Sequence, residues 1–248
     1  MRDTKIAWTK HTFNIWQGCQ KVSAGCDNCY AELQSNRFTP KGTASLWGAK
    51  ATYAKRSDEY WREPLQWNEK YPGRVFCGSM CDVFDLHGYE DQRVRLYELI
   101  KVTPNLTWLL LTKRPQNISR FLPDDWGNGY PNVWLGTSVE NNEVTNRIDI
   151  LRNIPATKRF ISFEPLIGDV GTLDFTGIDW AIIGGESGCK AIRPMKKEWA
   201  LSIVEQAIPN NVAVFFKQWG NYDEHGKYYQ NKNDIPAMLD GKSYLNFP

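Results

Sequence analysis

Three cysteines near the start of the chain form the sharpest chemical feature of the sequence. Cys19, Cys26 and Cys29 follow the spacing C-x6-C-x2-C, so three thiols fall within eleven residues. Gly18 and Gly25 give the intervening loop the backbone freedom to turn, which lets three thiolates converge on one centre. The spacing therefore indicates a metal or cluster site.

The surroundings of these cysteines disfavour disulfides. The first ten residues, MRDTKIAWTK, are charged where a secretory signal requires an apolar segment, and no later run approaches about 18 uncharged apolar residues. We expect a cytoplasmic protein without membrane association. Because reducing compartments keep thiols reduced, the six cysteines of the chain favour metal or cluster ligation.

Zinc and an iron–sulfur cluster compete for this site. A structural zinc ion normally takes four ligands, and the three histidines, His11, His87 and His225, lack a zinc-ligand spacing. A 4Fe-4S cluster held by three cysteines leaves one iron open, and that iron can chelate the amino and carboxylate groups of S-adenosylmethionine. Such a cofactor supplies an electron that splits the sulfonium and yields a 5′-deoxyadenosyl radical.

The elements on either side must position the cysteine loop. A first strand is predicted near Thr12–Trp16, and a helix is predicted beyond the loop, capped by Asp27 or Asn28. This places Cys29 in the first turn of that helix, where the helix N-terminus favours a thiolate.

Six further short apolar runs end abruptly in small, polar or charged residues. Continuous apolarity of this length is typical of strands buried on both faces, as in parallel sheets. The runs are Arg74–Cys77, Trp108–Leu111, Val133–Leu135, Phe160–Phe163, Trp180–Ile183 and Val212–Phe216.

Helical patterns lie between the runs, over Asp91–Lys101, Asn141–Asn153 and Lys196–Ile208. The βαβα order predicts an α/β protein with a partial (β/α) barrel of about six to seven parallel strands, whose polar site lies at the C-terminal ends of the strands. The alternative is a doubly wound open sheet. We expect the barrel over residues 1–220, with an insertion at 38–73, and a C-terminal extension over 221–248.

Composition limits the partners. A net charge of +2 excludes a polycation that coats nucleic acid, so any nucleic-acid surface must be local. Aromatic residues make up 13% of the chain, more than a minimal aliphatic core requires, which leaves rings available for a ligand.

The motifs resemble the radical S-adenosylmethionine superfamily, and specifically a phage-associated branch of it. The superfamily's usual first cysteine gap is three residues, and the gap of six departs from it. The resemblance extends from about Trp8 to Gly220 and rests on six phrases in one order: WQGC at 16–19, GCDNCYAE at 25–32, GTSVEN at 136–141, FEPL at 163–166, GGESG at 184–188 and FKQWG at 216–220.

The resemblance implies that Cys19, Cys26 and Cys29 hold the 4Fe-4S cluster and that S-adenosylmethionine is the cosubstrate. Polar residues that follow the early strands are then expected to bind the cosubstrate, although helix capping or solvent exposure would also explain them. They are Tyr30, Ser79, Asp82, Lys113, Thr137, Ser138 and Glu140.

The late strands are expected to face the substrate. Glu164, Glu186 and Lys217 are the candidate catalytic residues, and Arg193 or Lys217 is the expected partner of the Glu164 carboxylate. The candidate substrate-binding residues are Ser187, Arg193, Gln218 and Trp219. A tight turn at Gly184-Gly185 and a core position for Trp219 are the plain structural alternatives.

These groups suit a base carried on phosphate, because they combine cations, an amide and an aromatic ring. With the phage association, they indicate hydrogen abstraction from a nucleotide, a single-stranded or flipped DNA base, for example rearrangement of a thymine substituent. The reductant is expected to be a flavodoxin or ferredoxin, and the site of action the host cytoplasm if a phage encodes the protein.

Other classes stay open on the residues alone. One is a zinc-stabilised nucleic-acid-binding module without catalysis, and another is a non-redox barrel hydrolase with Glu164 and Glu186 as paired carboxylates. Cys77, Cys81 and Cys189 are either a second cluster site or small buried side chains.

Overall fold

The computed structural model describes residues 1–38, 44–187 and 191–248, in which strands and helices alternate. The strands are β1 His11–Phe13, β2 Trp16–Gln17, β3 Ala54–Lys55, β4 Gly73–Cys77, β5 Leu106–Thr112, β6 Val133–Ser138, β7 Lys158–Phe163, β8 Trp180–Gly184 and β9 Ala213–Gln218. The α-helices are α1 Tyr30–Phe38, α2 Asp58–Lys70, α3 Glu90–Lys101, α4 Ile118–Phe121, α5 Asn146–Arg152 and α6 Lys197–Ala207.

Seven strands form one parallel sheet in the order β1-β4-β5-β6-β7-β8-β9. The order follows the chain without the reversal that a doubly wound sheet requires, which confirms the partial (β/α) barrel. The remaining two strands, β2 and β3, pair antiparallel as a separate small ribbon.

The described chain folds into two compact units. The first contains Met1–Val22, Ala31–Gly136 and Ile154–Lys158, and the second contains Ser23–Tyr30, Thr137–Asn153 and Arg159–Pro248. Residues 221–248, expected as an extension, belong to the second unit.

Aromatic rings fill the core of the first unit. Phe13 on β1 is fully buried, stacks on Tyr60 with ring centroids 4.9 Å apart, and meets Trp108 on β5 edge-on at 5.6 Å. Trp61 and Trp67 of α2 pack against the same ring. Much of the aromatic surplus of the sequence therefore stabilises the fold.

The last residues of the chain complete the core of the second unit. Phe247 packs against Trp180 on β8 and Phe215 on β9, each with ring centroids 5.3 Å apart. The Trp180 indole N–H donates to the Asn246 carbonyl at 2.9 Å. Residues 221–248 are thus fastened to the strands that end the sheet.

Three sequence expectations need correction in detail. The single strand expected near Thr12–Trp16 is divided at Asn14 into β1 and β2. The backbone amide of Asn14 donates to the Tyr60 hydroxyl and its side-chain amide donates to the Ser79 hydroxyl. The helix expected over Asn141–Asn153 begins with a 3-10 turn, and α5 occupies only its second half. The insertion at 38–73 contains α2, which was not predicted from the sequence. The first turn of α2 is capped by the Ser57 hydroxyl.

In the described part of the chain, no helix combines the length and apolarity needed to span a membrane.

The close approach of Gly220, in the turn after β9, to the Glu186 backbone can be tested by substitution. Gly220 has a φ of +91°, and a Cβ there would overlap the Glu186 carbonyl, whereas Gly226 has a φ of +79° with open space around it. We expect Gly226→Ala to cost about 1–2 kcal/mol from φ strain alone. Gly220→Ala should cost roughly 1–3 kcal/mol more because backbone must move. Urea unfolding of both variants measures the difference, and equal losses would contradict the close approach.

Candidate functional site

In the first unit, the buried side chain of Arg114 organises the chain around Cys19. Its guanidinium forms ion pairs with Asp82 at 3.0 Å and Asp85 at 3.2 Å. It also donates to the Gln20 carbonyl at 2.7 Å and to the Cys19 Sγ at 3.7 Å. One arginine, which directly follows β5 and Lys113, therefore holds both the backbone and the thiol at the first cysteine.

The Asp82 carboxylate has further internal partners. It accepts hydrogen bonds from the Thr112 hydroxyl at 2.7 Å, the Lys113 amide at 3.1 Å and the Phe84 amide at 3.0 Å. These contacts fix the orientation of the carboxylate, which in turn fixes Arg114. Its expected contact with an ammonium group of a cosubstrate stays a prediction.

Burial controls the ionisation of Cys19. It raises the pKa of the thiol well above the ordinary value, and the negative charge of Asp82 raises it further, while Arg114 lowers it. The pKa of Arg114 is itself raised, because the attraction of Asp82, Cys19 and Asp85 outweighs the effect of burial. Arg114 is thus a fixed cation that offsets part of the effect of burial and of Asp82 on the Cys19 thiol.

In the second unit, Glu140 holds the start of the segment that carries Cys26. The carboxylate is 1% exposed, pairs with Arg147 at 3.0 Å and accepts the Ser23 hydroxyl at 3.3 Å. A Cβ on Gly25 would overlap the Glu140 side chain, so glycine at position 25 permits a close approach. The sequence predicted that Gly25 provides backbone freedom in the loop. In the structure, its lack of a side chain is what allows Glu140 to approach.

A second carboxylate holds the same segment from β8. Arg193 pairs with Glu186 at 2.5 Å and donates to the Ala24 carbonyl at 2.9 Å. The Asn28 amide donates to Glu186 and to the Ala191 carbonyl, both at 2.9 Å. Asn28 therefore fastens the loop to residues after β8 and does not serve as the expected helix cap.

These contacts set the charge of Glu186. Burial alone would raise its pKa, but the hydrogen bonds from Arg193 and Asn28 outweigh burial and hold the pKa below its ordinary value. Glu186 is consequently an anion at neutral pH, and its charge is balanced by Arg193.

Cys26 is buried at the end of a short 3-10 turn over Ala24–Cys26, and its amide donates to the Ser23 carbonyl at 2.9 Å. Cys29 is half-buried and directly precedes α1, rather than lying within its first turn as expected. It nevertheless lies beside the amino end of the helix, which favours a thiolate.

The other predicted cosubstrate residues lie at strand ends. Ser79 follows β4 and accepts from the Asn14 amide at 3.0 Å. Thr137 and Ser138 end β6 and are buried, and the Ser138 carbonyl accepts from Arg147 at 2.9 Å. Tyr30, the first residue of α1, is 48% exposed. Their roles toward a cosubstrate stay predictions.

A second polar group follows β8 and β9. The Glu164 carboxylate forms an ion pair with Lys217, one of its two expected partners, and the other, Arg193, is taken by Glu186. The Ser187 hydroxyl accepts from the Lys232 ammonium at 3.1 Å. Lys232 was not among the sequence candidates, because nothing in residues 221–248 signals that this lysine returns to the strand ends.

Gln218 and Trp219 serve the packing between the segments that follow these strands. The Gln218 amide donates to the Gly185 carbonyl at 2.7 Å and accepts from the Gly220 amide at 2.5 Å. Trp219 is 3% exposed, packs on Phe216 and donates its indole N–H to the Met238 carbonyl at 2.8 Å. Trp219 therefore occupies a core position, which the sequence analysis gave as the alternative to substrate binding.

Cys77 and Cys81 are buried thiols in the first unit. Burial raises the pKa of Cys77 well above its ordinary value and that of Cys81 to about 12. Both fit the interpretation as small buried side chains. Cys189, the third member of the suggested second cluster, lies outside the described residues.

The donor chemistry of the cysteine loop fits an iron–sulfur cluster, since Cys19, Cys26 and Cys29 are all thiols. Within residues 1–38, 44–187 and 191–248, no group of three His, Cys, Asp or Glu side chains is already arranged around a metal position. The fit therefore rests on donor type and sequence spacing.

Reasoning from sequence missed Ser23, Asp85 and Arg147, which complete the buried ion-pair networks. Ser23 lies 117 positions from Glu140, whereas Arg147 lies only seven positions from it. No local pattern in one sequence marks the Ser23–Glu140 contact.

Comparison with known proteins gives one family. A family model described as "Protein of unknown function (DUF5131)" matches residues 3–248. Neither the curated proteins nor the solved structures include a match to the chain.

The Glu140–Arg147 pair predicts a large effect of one isosteric change. Glu140→Gln leaves Arg147 buried without its counter-charge, which should lower the free energy of unfolding by about 3–5 kcal/mol. The matched control is Asp149→Asn, because Asp149 pairs with Arg152 at 2.5 Å but is 68% exposed. That change should cost about 0–1 kcal/mol. Chemical denaturation compares the two, and similar small losses would show that Glu140 does not stabilise this segment.

Proposed function

The chain belongs to the DUF5131 family, and we propose that it is a radical S-adenosylmethionine enzyme. In this proposal Cys19, Cys26 and Cys29 hold a 4Fe-4S cluster, and the enzyme abstracts hydrogen from a nucleotide or a nucleic-acid base. The observation that carries the proposal is a loop with three thiols in eleven residues, held by pairs between arginines and buried carboxylates.

The ion pairs that hold the loop support a role in positioning the proposed cluster ligands. Replacing buried ion pairs with apolar side chains is often neutral or stabilising, so such pairs are poorly explained by stability alone. Here their contacts reach Cys19 and Gln20 through Arg114, Ser23 through Glu140, and Ala24 through Arg193. Each contact restrains a residue at or beside a proposed cluster ligand.

When bound, the cluster supplies the electron that cleaves S-adenosylmethionine. The chain's own contribution begins with ligand ionisation, because thiolates are the ligating form. Arg114 beside Cys19 and the amino end of α1 beside Cys29 both favour thiolate.

Cosubstrate binding is proposed for polar residues that follow β4 and β5 or end β6. Ser79, Lys113, Thr137 and Ser138 supply hydroxyl groups and one ammonium group for the methionine and ribose parts, with Tyr30 beside the cysteines. Asp82 and Glu140 are proposed to support this site indirectly, through the loop that they restrain.

The ionisation of Glu186 argues against the hydrolase alternative. Hydrolysis by paired carboxylates requires one carboxyl group that keeps its proton near neutral pH. Arg193 and Asn28 hold the pKa of Glu186 below its ordinary value, so this group is a poor proton donor. The Glu164–Lys217 pair is then the candidate for catalysis on the substrate side.

The remaining features of the proposal follow the chemistry. A one-electron donor of the flavodoxin or ferredoxin type would reduce the cluster, and the reducing cytoplasm suits three ligating thiols. A base within a duplex is shielded from a buried radical, so a nucleotide, a single strand or a flipped base is the proposed substrate.

Anaerobic reconstitution with iron and sulfide tests the proposal. The full chain should bind about four irons, become brown, and release 5′-deoxyadenosine from S-adenosylmethionine when reduced. Changing Cys19, Cys26 or Cys29 to Ala should abolish the cluster absorbance and the product. Cys77→Ala and Cys81→Ala, the matched controls, should keep both.

Two results would overturn the proposal. Stoichiometric zinc without iron–sulfur absorbance after reconstitution would support the zinc-stabilised module instead. A cluster that survives in all three cysteine variants would place the iron elsewhere in the chain.

A further inference from the structure

Lys232 is the first residue of a short 3-10 turn, and its side chain reaches Ser187, which follows β8. The turn covers Lys232–Asp234, and the Asn231 side chain holds it by accepting from the Asn233 amide at 3.1 Å. The Lys232 ammonium then donates to the Ser187 hydroxyl at 3.1 Å. A residue of the C-terminal segment is thereby brought to Ser187, a predicted substrate-binding residue.

Lys217 is presented to the same region by an irregularity in the sheet. On β8 and β9, Ile183 pairs with Phe216 and Gly184 pairs with Gln218, so Lys217 is the extra residue of a β-bulge. Bulges re-aim side chains and are frequent beside functional sites. The side chains of Lys217 and Glu164 are 18% and 21% exposed, which leaves the pair within reach of a ligand.

The charges in this group do not balance. Lys217 is paired with Glu164, whereas the hydrogen-bond partner of Lys232 is the neutral Ser187. The nearby Glu186 is already paired with Arg193. Burial lowers the pKa of Lys232 and the charge of Lys217 lowers it further, while the charge of Glu164 raises it. Among the described residues of this group, two ammonium groups and one available carboxylate leave one excess positive charge in a half-buried place.

We propose that Lys232, Lys217 and Ser187 form an anion site that binds a phosphate group of the substrate. A phosphate oxygen can accept from both ammonium groups and from the serine hydroxyl, and it supplies the missing negative charge. The assignment of this phosphate to a nucleotide substrate rests on the proposed function. The C-terminal segment is then part of the binding site as well as of the core.

Binding of two probes to the full-length reconstituted protein tests the site. Calorimetric titration with inorganic phosphate should show binding that Lys232→Met weakens roughly tenfold or more, the scale of a lost charge-assisted hydrogen bond. Lys232→Arg should retain most of the affinity. The matched control, Lys242→Met, removes an exposed lysine of the same segment and should leave the affinity unchanged.

The second probe identifies the source of the phosphate. A deoxynucleoside 5′-monophosphate should bind more tightly than the same deoxynucleoside, and Lys232→Met should abolish that difference. Equal phosphate affinity in the wild type and Lys232→Met, or equal losses in Lys232→Met and Lys242→Met, would overturn the site. Phosphate binding that depends on Lys232 in a protein that never forms 5′-deoxyadenosine would overturn the proposed function and leave the anion site standing.

Discussion

The pairing of arginines with buried carboxylates is the interaction on which the cysteine loop depends. In the first unit Arg114 is held between Asp82 and Asp85 and fixes the chain at Cys19 and Gln20. In the second unit, the pairs Glu140–Arg147 and Glu186–Arg193 fix the residues before Cys26. A guanidinium group suits this task, since its several N–H donors bind a carboxylate and still reach backbone carbonyls. Each pair therefore joins a strand end to the loop.

This arrangement gives the carboxylates at the strand ends different chemical characters. Glu186 is kept anionic by Arg193 and Asn28, and the orientation of Asp82 is fixed by the donors around it. The Glu164–Lys217 pair is more exposed and comes from a bulged strand end. Fixed charges suit the positioning of a cofactor loop, while an accessible acid–base pair suits contact with a substrate. Under the proposed function, the two tasks are divided among residues that look alike in the sequence.

The strands were predictable because their burial on both faces leaves a continuous apolar run. Trp180–Ile183 and Phe160–Phe163, for example, lie within β8 and β7 as the structure has them. The helix α2 was missed because Pro64 interrupts its pattern and its buried residues are Trp61, Pro64 and Trp67 rather than aliphatic side chains. For the site, the sequence located the strand-end positions but not their partners. The Asp82–Arg114 pair joins residues 32 positions apart, and Lys232 reaches Ser187 only because the C-terminal segment folds back.

The position of the C-terminal segment links the core of the second unit to its polar residues. Phe247 and Asn246 bind Trp180 and Phe215, and Met238 accepts a hydrogen bond from Trp219. Lys232 lies before these anchors in the chain, so its approach to Ser187 is restrained from one side by packing and from the other by the Asn221 contacts with Tyr229 and Gln230. A long lysine side chain loses much rotamer entropy when it is fixed. The free energy of one hydrogen bond to a neutral hydroxyl offsets only a small part of that loss. An anionic ligand that both ammonium groups share supplies the larger interaction that such a fixed lysine requires.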